Sequence, residues 1–181
     1  MSRVPRHTQD SAPAASRPLL SQIHGVFGTV PAMFAAVANA PAALASMWGS
    51  FGALGGGTLP AKLGEQIAVA VADRNRCHYC LAAHTVLGQK AGATREEMAE
   101  AQAGRSDDPR TAAALAFALK VVERRADVSA ADVAALREAG FDDEGIVEIL
   151  AHVALNLFTN YVNIALDVPV DFPAVQLRKA A

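Results

Sequence analysis

The chain has 181 residues, 52% of them apolar, a formal charge of −2 and two cysteines. That arithmetic suits one domain with a substantial core, excludes a disordered chain, and leaves too few cysteines for a disulfide-stapled secreted scaffold. Sixteen Lys and Arg against 18 Asp and Glu argue against nucleic acid as a partner, and an aromatic content of only 6% points to alanine-rich, close-packed helices, an all-α fold.

Residues 1–17 are polar and carry Arg3, Arg6 and Arg17. No apolar stretch follows the basic start, so the segment reads as a disordered leader rather than a secretory signal. Residues 18–58 read as an N-terminal helical arm. Leu19, Leu20, Ile23, Val26 and Phe27 recur at helical spacing before Gly28. Pro31 and Pro41 sit where short helices begin, the second passing through Leu44, Met47, Trp48 and Phe51. Met47, Trp48 and Phe51 read as core or interface anchors rather than as a ligand box. The run GALGGGT (52–58) is a flexible joint to the core domain, residues 59–173, which a tail over 174–181 follows.

Pro60 opens a segment through Leu63, Ile67 and Val71 to Asp73. Its QIAVAVA alternates as a strand would, but its length with flanks, its alanine content and the proline start favour a helix. Cys77 to Ala91 reads as the next helix, closed by Gly92. Thr94 with Glu97 forms a capping box, Pro109 takes the first position of a helix to about Ala126, and Ser129 with Asp132 caps one ending at Gly140. Asp142 caps a last long helix with Ile146, Ile149, Leu150, Val153, Leu157, Phe158, Tyr161 and Ile164 on its buried side. Glu148, His152, Asn156, Asn160 and Asn163 interrupt it, so it lacks the ~18 uninterrupted apolar residues of a membrane span. The expectation is a soluble cytoplasmic protein with neither membrane nor nucleic acid as partner.

The chemistry concentrates in LPAKLGEQIAVAVADRNRCHYCLAAHTVLGQKAG (59–92). On a helix, Cys77, Cys80 and His84 fall within roughly a 60° arc, and Cys80 with His84 is an i, i+4 pair. Two thiols at this spacing can close a disulfide and reopen by exchange, with the imidazole as a built-in base. The helix dipole favours a thiolate at Cys77, whereas the histidine favours one at Cys80. Glu65 would lie roughly 18 Å from Cys77 on one continuous helix, so it joins the site only if Asp73-Arg74-Asn75-Arg76 bends the chain back. Otherwise it is a surface glutamate. Zinc is a rival, since two thiolates, an imidazole and Glu65 would make four ligands, but no second Cys/His cluster supports a structural site. The cysteines could also be small buried hydrophobes. His152, Asn156 and Asn160 form a polar line that borders the site or a subunit interface, with a solvated stripe as the alternative for Asn160.

Glu65, Ile67–Val71, Asn75, Cys77, Tyr79, Cys80 and His84, spaced Glu-x11-Cys-x-x-Cys-x3-His, resemble the carboxymuconolactone decarboxylase-like superfamily and, within it, the alkylhydroperoxidase D (AhpD) core. The resemblance is firm over 59–92 and looser to Leu166 through NLFTNYVN (156–163). It implies an AhpD-like helical bundle that assembles into homo-oligomers, trimers or hexamers. It also implies reduction of organic hydroperoxides or hydrogen peroxide by a cysteine pair that an external dithiol, of dihydrolipoyl type, recycles, with no bound cofactor and no metal. Carried across, Cys80 would be the peroxidatic thiolate, Cys77 the resolving cysteine, His84 the proton acceptor and Glu65 its partner. AhpD proper has histidine where Tyr79 stands, so Tyr79, like His152, is expected to line the site, as in the peroxidase-related branch. A tyrosine hydroxyl is a poor base at neutral pH. The alternatives are a thiol redox sensor or zinc-holding oligomer without turnover, and a decarboxylase-like lyase, whose true members generally lack the cysteine pair.

Overall fold

The computed structural model describes residues 2–179, all helix, turn or loop with no strand among them. Met1, Ala180 and Ala181, the extremes of the expected leader and tail, lie outside the described residues. Among the described residues, nine α-helices follow a short 3-10 turn at Ala14–Ser16: α1 (Arg17–Phe27), α2 (Ala32–Val37), α3 (Pro41–Gly55), α4 (Ala61–Arg74), α5 (His78–Lys90), α6 (Arg95–Gln102), α7 (Pro109–Glu123), α8 (Ala130–Glu138) and α9 (Asp143–Ala165).

The QIAVAVA run lies inside α4, and its alternation comes from burial on every side. α5, α6, α7 and α9 all pack on α4, and Gln66 to Asp73 are buried in unbroken succession. A helix apolar all round is a core helix, and its alanines let four neighbours approach closely. Ile67 and Val69 are fully enclosed. Ile67→Ala removes buried methylenes without room for collapse and is expected to cost about 3 kcal/mol, read as a lower urea midpoint at unchanged m-value.

The helix signals in the sequence act locally as expected. Thr94 and Ser129 form reciprocal capping boxes with Glu97 and Asp132, the Asp142 carboxylate accepts from Gly145 N, and Pro109 opens α7. α4 begins where the Glu148 carboxylate of α9 accepts from the amides of Thr58 and Leu59 at 2.8–2.9 Å. Gly57 permits that approach, since a Cβ there would lie 2.5 Å from Glu148 Oε1.

Two expectations change. The leader is not disordered over its described part. Arg3 N donates to Leu166 O, His7 N to Ala35 O and the buried Ser16 Oγ to Ala38 O, while Ala12 enters the core. Composition missed this because the segment has few apolar side chains on the core, Val4 and Ala12 among them, and is held besides by hydrogen bonds to α2 and the end of α9. On α9, Leu150, Tyr161 and Ile164 lie exposed, at 36%, 60% and 44% of their surface, rather than on the buried side. The face turned to the core instead carries Ile146, Ile149 and Val153, then Asn156, Thr159, Asn160 and Asn163. α9 is long and apolar enough to cross a membrane by length and composition alone, yet that polar row faces α4 and α5.

Candidate active site

The bend anticipated after Asp73 exists. α4 ends at Arg74, Arg76 takes a left-handed φ of 61°, and α5 starts at His78 and runs back along α4. The turn is braced from outside, where Asn75 Nδ2 donates to Asn160 Oδ1 at 2.9 Å and the Asp73 carboxylate accepts from Gln102 and the backbone of Arg178. The reversal brings Glu65 to the second turn of α5, where Glu65 Oε2 and His84 Nδ1 are 2.7 Å apart. Glu65 is therefore a site residue and not a surface glutamate.

Cys77 stands outside the helix as its N-cap, with φ −87° and ψ 96°, and its sulfur accepts from Cys80 N at 3.2 Å. The three-residue stack expected on one helix face is thus two helical residues, Cys80 and His84, with Cys77 folded over the helix end. The sulfurs are 2.6 Å apart as free thiols, and both cysteines are buried. The Asn163 amide donates to Cys80 Sγ at 3.2 Å. Asn160, wholly buried, has its Nδ2 facing Cys80 without a full hydrogen bond, so the solvated-stripe alternative for it fails. Asn163 is the residue of this candidate site that the sequence did not single out. Its signal was present, since Asn156, Asn160 and Asn163 share one face of an apolar helix.

This placement separates the two thiols. Burial pushes Cys80 up, but the hydrogen bond from Cys77, the charge of His84 and the amides of Asn163 and Asn160 outweigh it, leaving Cys80 lowered to about 7. Cys77 is raised, because its hydrogen bond to Cys80 holds its proton and burial adds to that. Burial opposes charge on His84 too, yet the carboxylate of Glu65, by charge and hydrogen bond, raises it above the ordinary imidazole value. The dipole argument for Cys77 therefore loses to direct hydrogen bonding at Cys80.

Cys80 lies at the wall of a cavity of about 370 Å³ that Glu65, Ala83, His84 and Asn163 also line. Its other wall comes from the arm, with Phe27, Met33, Phe34, Trp48 and Phe51. Phe34 meets Trp48 and Phe51 edge to face, at 5.6 and 5.9 Å between ring centres. Met47 is a core residue as expected, but Trp48 and Phe51 are cavity wall, a role that composition cannot distinguish from an interface anchor. Tyr79 lines the cavity from the turn. Its hydroxyl accepts from Met33 N at 3.3 Å and its ring packs edge to face on Phe172, so it ties the arm and the C-terminal segment to the dithiol turn. Burial, then the charge of Asp171, keep its hydroxyl protonated. His152 is near the site but on the far side of Glu65, against Gly64. Among the described residues no group of three or more His, Cys, Asp or Glu is placed to hold a metal ion.

The profile of the carboxymuconolactone decarboxylase family matches residues 38–124, which contain the Glu65, Cys77, Cys80 and His84 constellation. An uncharacterized peroxidase-related protein of the alkylhydroperoxidase AhpD core from Ralstonia eutropha JMP134 is 29% identical, with 94% of this chain and 92% of that one aligned at a TM-score of 0.84. Over residues 38–124 the chain matches the carboxymuconolactone decarboxylase family. Its AhpD-like fold is shared by a peroxidase-related protein from Silicibacter sp. TM1040, at 24% identity, 93% and 91% coverage and a TM-score of 0.81. It is shared too by the debrominase Bmp8, solved with 2,3,4-tribromopyrrole, at 21% identity, 94% and 92% coverage and a TM-score of 0.80. No curated protein matches the chain. On this fold the chain combines the cysteine pair with Tyr79 at the turn and an aromatic arm over the thiol.

Proposed function

We propose that this protein is a thiol-dependent peroxidase that reduces organic hydroperoxides with the Cys77–Cys80 dithiol and is recycled by a small external dithiol. The observation that carries the reading is one thiol, Cys80, lowered to about 7 beside a His84–Glu65 pair and opening on an apolar cavity. The Cys80 thiolate attacks the distal peroxide oxygen; an S–O bond forms, the O–O bond breaks, and the alkoxide leaves as alcohol with the His84 proton. Sulfur is oxidised by two electrons and the peroxide reduced by two. Cys77 then attacks the sulfenic sulfur, closing the disulfide and releasing water. Of the two cysteines only Cys80 lines the cavity, so a dihydrolipoyl-type donor entering by the same route attacks Cys80 and leaves as its own disulfide.

The cavity favours an organic peroxide over hydrogen peroxide, because aromatic walls reward apolar area and offer a small polar peroxide nothing. With a dihydrolipoyl donor, cumene hydroperoxide is expected to exceed hydrogen peroxide in kcat/KM by about 50-fold, the equivalent of ~2.3 kcal/mol of side-chain contact. Trp48, the single tryptophan, should change fluorescence as the unreactive analogue 2-phenyl-2-propanol binds. Oxidation of the pair without turnover would instead make the protein a redox sensor. The exposed Val147, Leu150, Tyr161 and Ile164 on α9 support a homo-oligomer in which that stripe is covered.

A further inference from the structure

Glu65 and His84 form a partition between two cavities. On one side is the aromatic cavity with Cys80; on the other is a smaller space of about 120 Å³, lined by Glu65, His84, His152 and Asn156 among apolar neighbours. His152 Nε2 is buried with no hydrogen-bond partner, while the ring as a whole is only half-buried. One turn earlier on α9, Glu148 lies half-exposed with its carboxylate fixed by the amides of Thr58 and Leu59. The ring has a prepared seat, since a Cβ on Gly64 would lie 2.9 Å from His152 Cε1. A glycine inside α4 costs helix stability, about 1 kcal/mol against alanine, and here it admits an imidazole next to Glu65.

We infer that His152 is a relay residue, carrying protons through a water in the rear cavity between the Glu65–His84 pair and solvent. The kinetic consequences rest on the hydroperoxidase reading; the proton path does not. Converting a hydroperoxide to alcohol and water takes two electrons and two protons. The external dithiol supplies the electrons, but its sulfurs attack as thiolates and leave their protons in the medium. Those protons must return to His84 and the cysteines. An apolar cavity filled by substrate or donor is a poor route, whereas the rear cavity offers an unsatisfied imidazole nitrogen and room for a water, which needs polar partners of this kind. The groups facing His152 are Glu148 on its own helix, Glu65 from α4 and His84 from α5. Burial lowers its pKa, the two carboxylates pull it up and His84 pushes it down, the net being a lowering that favours the neutral ring.

Exchange of the His84 ring N–H with solvent, measured by NMR on histidine-labelled reduced protein, tests the path directly. His152→Gln, which fills the site without carrying a proton, is expected to slow that exchange and steady-state turnover of cumene hydroperoxide by about tenfold, at the low end for one acid–base group. Gly64→Ala, which keeps every titratable group but occupies the seat of the ring, should do the same with a higher melting temperature. Imidazole in the medium should restore both rates in His152→Ala and leave His152→Gln unchanged. Unchanged His84 exchange in His152→Gln and Gly64→Ala overturns the relay whatever the peroxide assay gives. Slowed exchange in both variants, when the wild-type protein turns over no peroxide, supports the relay and removes the peroxidase reading.

Discussion

Cys80→Ser is expected to abolish dithiol-dependent peroxide consumption, by roughly 10³-fold or more, as loss of a nucleophile does. Cys77→Ser should behave differently. It loses turnover yet reduces one equivalent of hydroperoxide per chain, leaving a sulfenic acid on Cys80 that dimedone traps for mass spectrometry. The asymmetry follows from where the chain puts each sulfur. Cys80 lines the cavity, receives the Asn163 amide at 3.2 Å and is lowered to about 7. Cys77 does not line it, and its proton is engaged by its partner. The serine hydroxyl is a donor in the same place, so the single-turnover rate at neutral pH should stay near that of wild type while the stoichiometry stays at one. A sulfenic acid trapped on Cys77 in Cys80→Ser, at a rate matching wild type, would reverse the roles.

Glu65→Gln is expected to move the pH profile rather than erase it. The carboxylate raises His84, and charged His84 in turn lowers Cys80. Glutamine keeps a hydrogen bond to the ring and removes the charge, so His84 falls, Cys80 climbs toward an ordinary thiol and the thiolate fraction at pH 7 drops. With a thiol near 7 about half is ionised at pH 7; near 8.5 about 3% is, so kcat/KM should fall about 15-fold there. The sign is fixed: the deficit shrinks as pH rises, and above about pH 9 the variant should approach wild type, because both thiols are then ionised. Stopped-flow peroxide reduction from pH 5.5 to 9.5, with thiolate absorbance near 240 nm as a second measure, tests this. A loss equal at every pH would mean that Glu65 only holds the two helices together.

The capping residues and prolines made the helices of the core legible, since each satisfies or removes a backbone amide within its own turn. Cys80, His84 and Glu65 were legible as candidates from their spacing, but whether Glu65 reached them depended on the Asp73–Arg76 bend, which a left-handed Arg76 completes. Long-range placement was not legible. Hydrophobic periodicity could not tell which side of α9 meets the core, because the buried side is the one bearing Asn156, Asn160 and Asn163, of which Asn160 serves the turn and Asn163 the thiol. Nor could it show that Trp48 and Phe51 wall a cavity, since their partners lie across the fold.

The burial of α4 on every side also bears on how such a protein can diversify. Glu65 rides on a helix that cannot slide without opening its interfaces with α5, α6, α7 and α9, so its reach to His84 is insulated from changes elsewhere. The aromatic wall hangs on α1–α3, which pack on one another and on α9, while the Tyr79 hydroxyl ties α2 to the dithiol turn. The wall and the groups that set the ionisation of Cys80 thus sit on different helices. Substitutions of Phe27, Trp48 or Phe51 are therefore expected to reshape what fits over the sulfur without touching those groups.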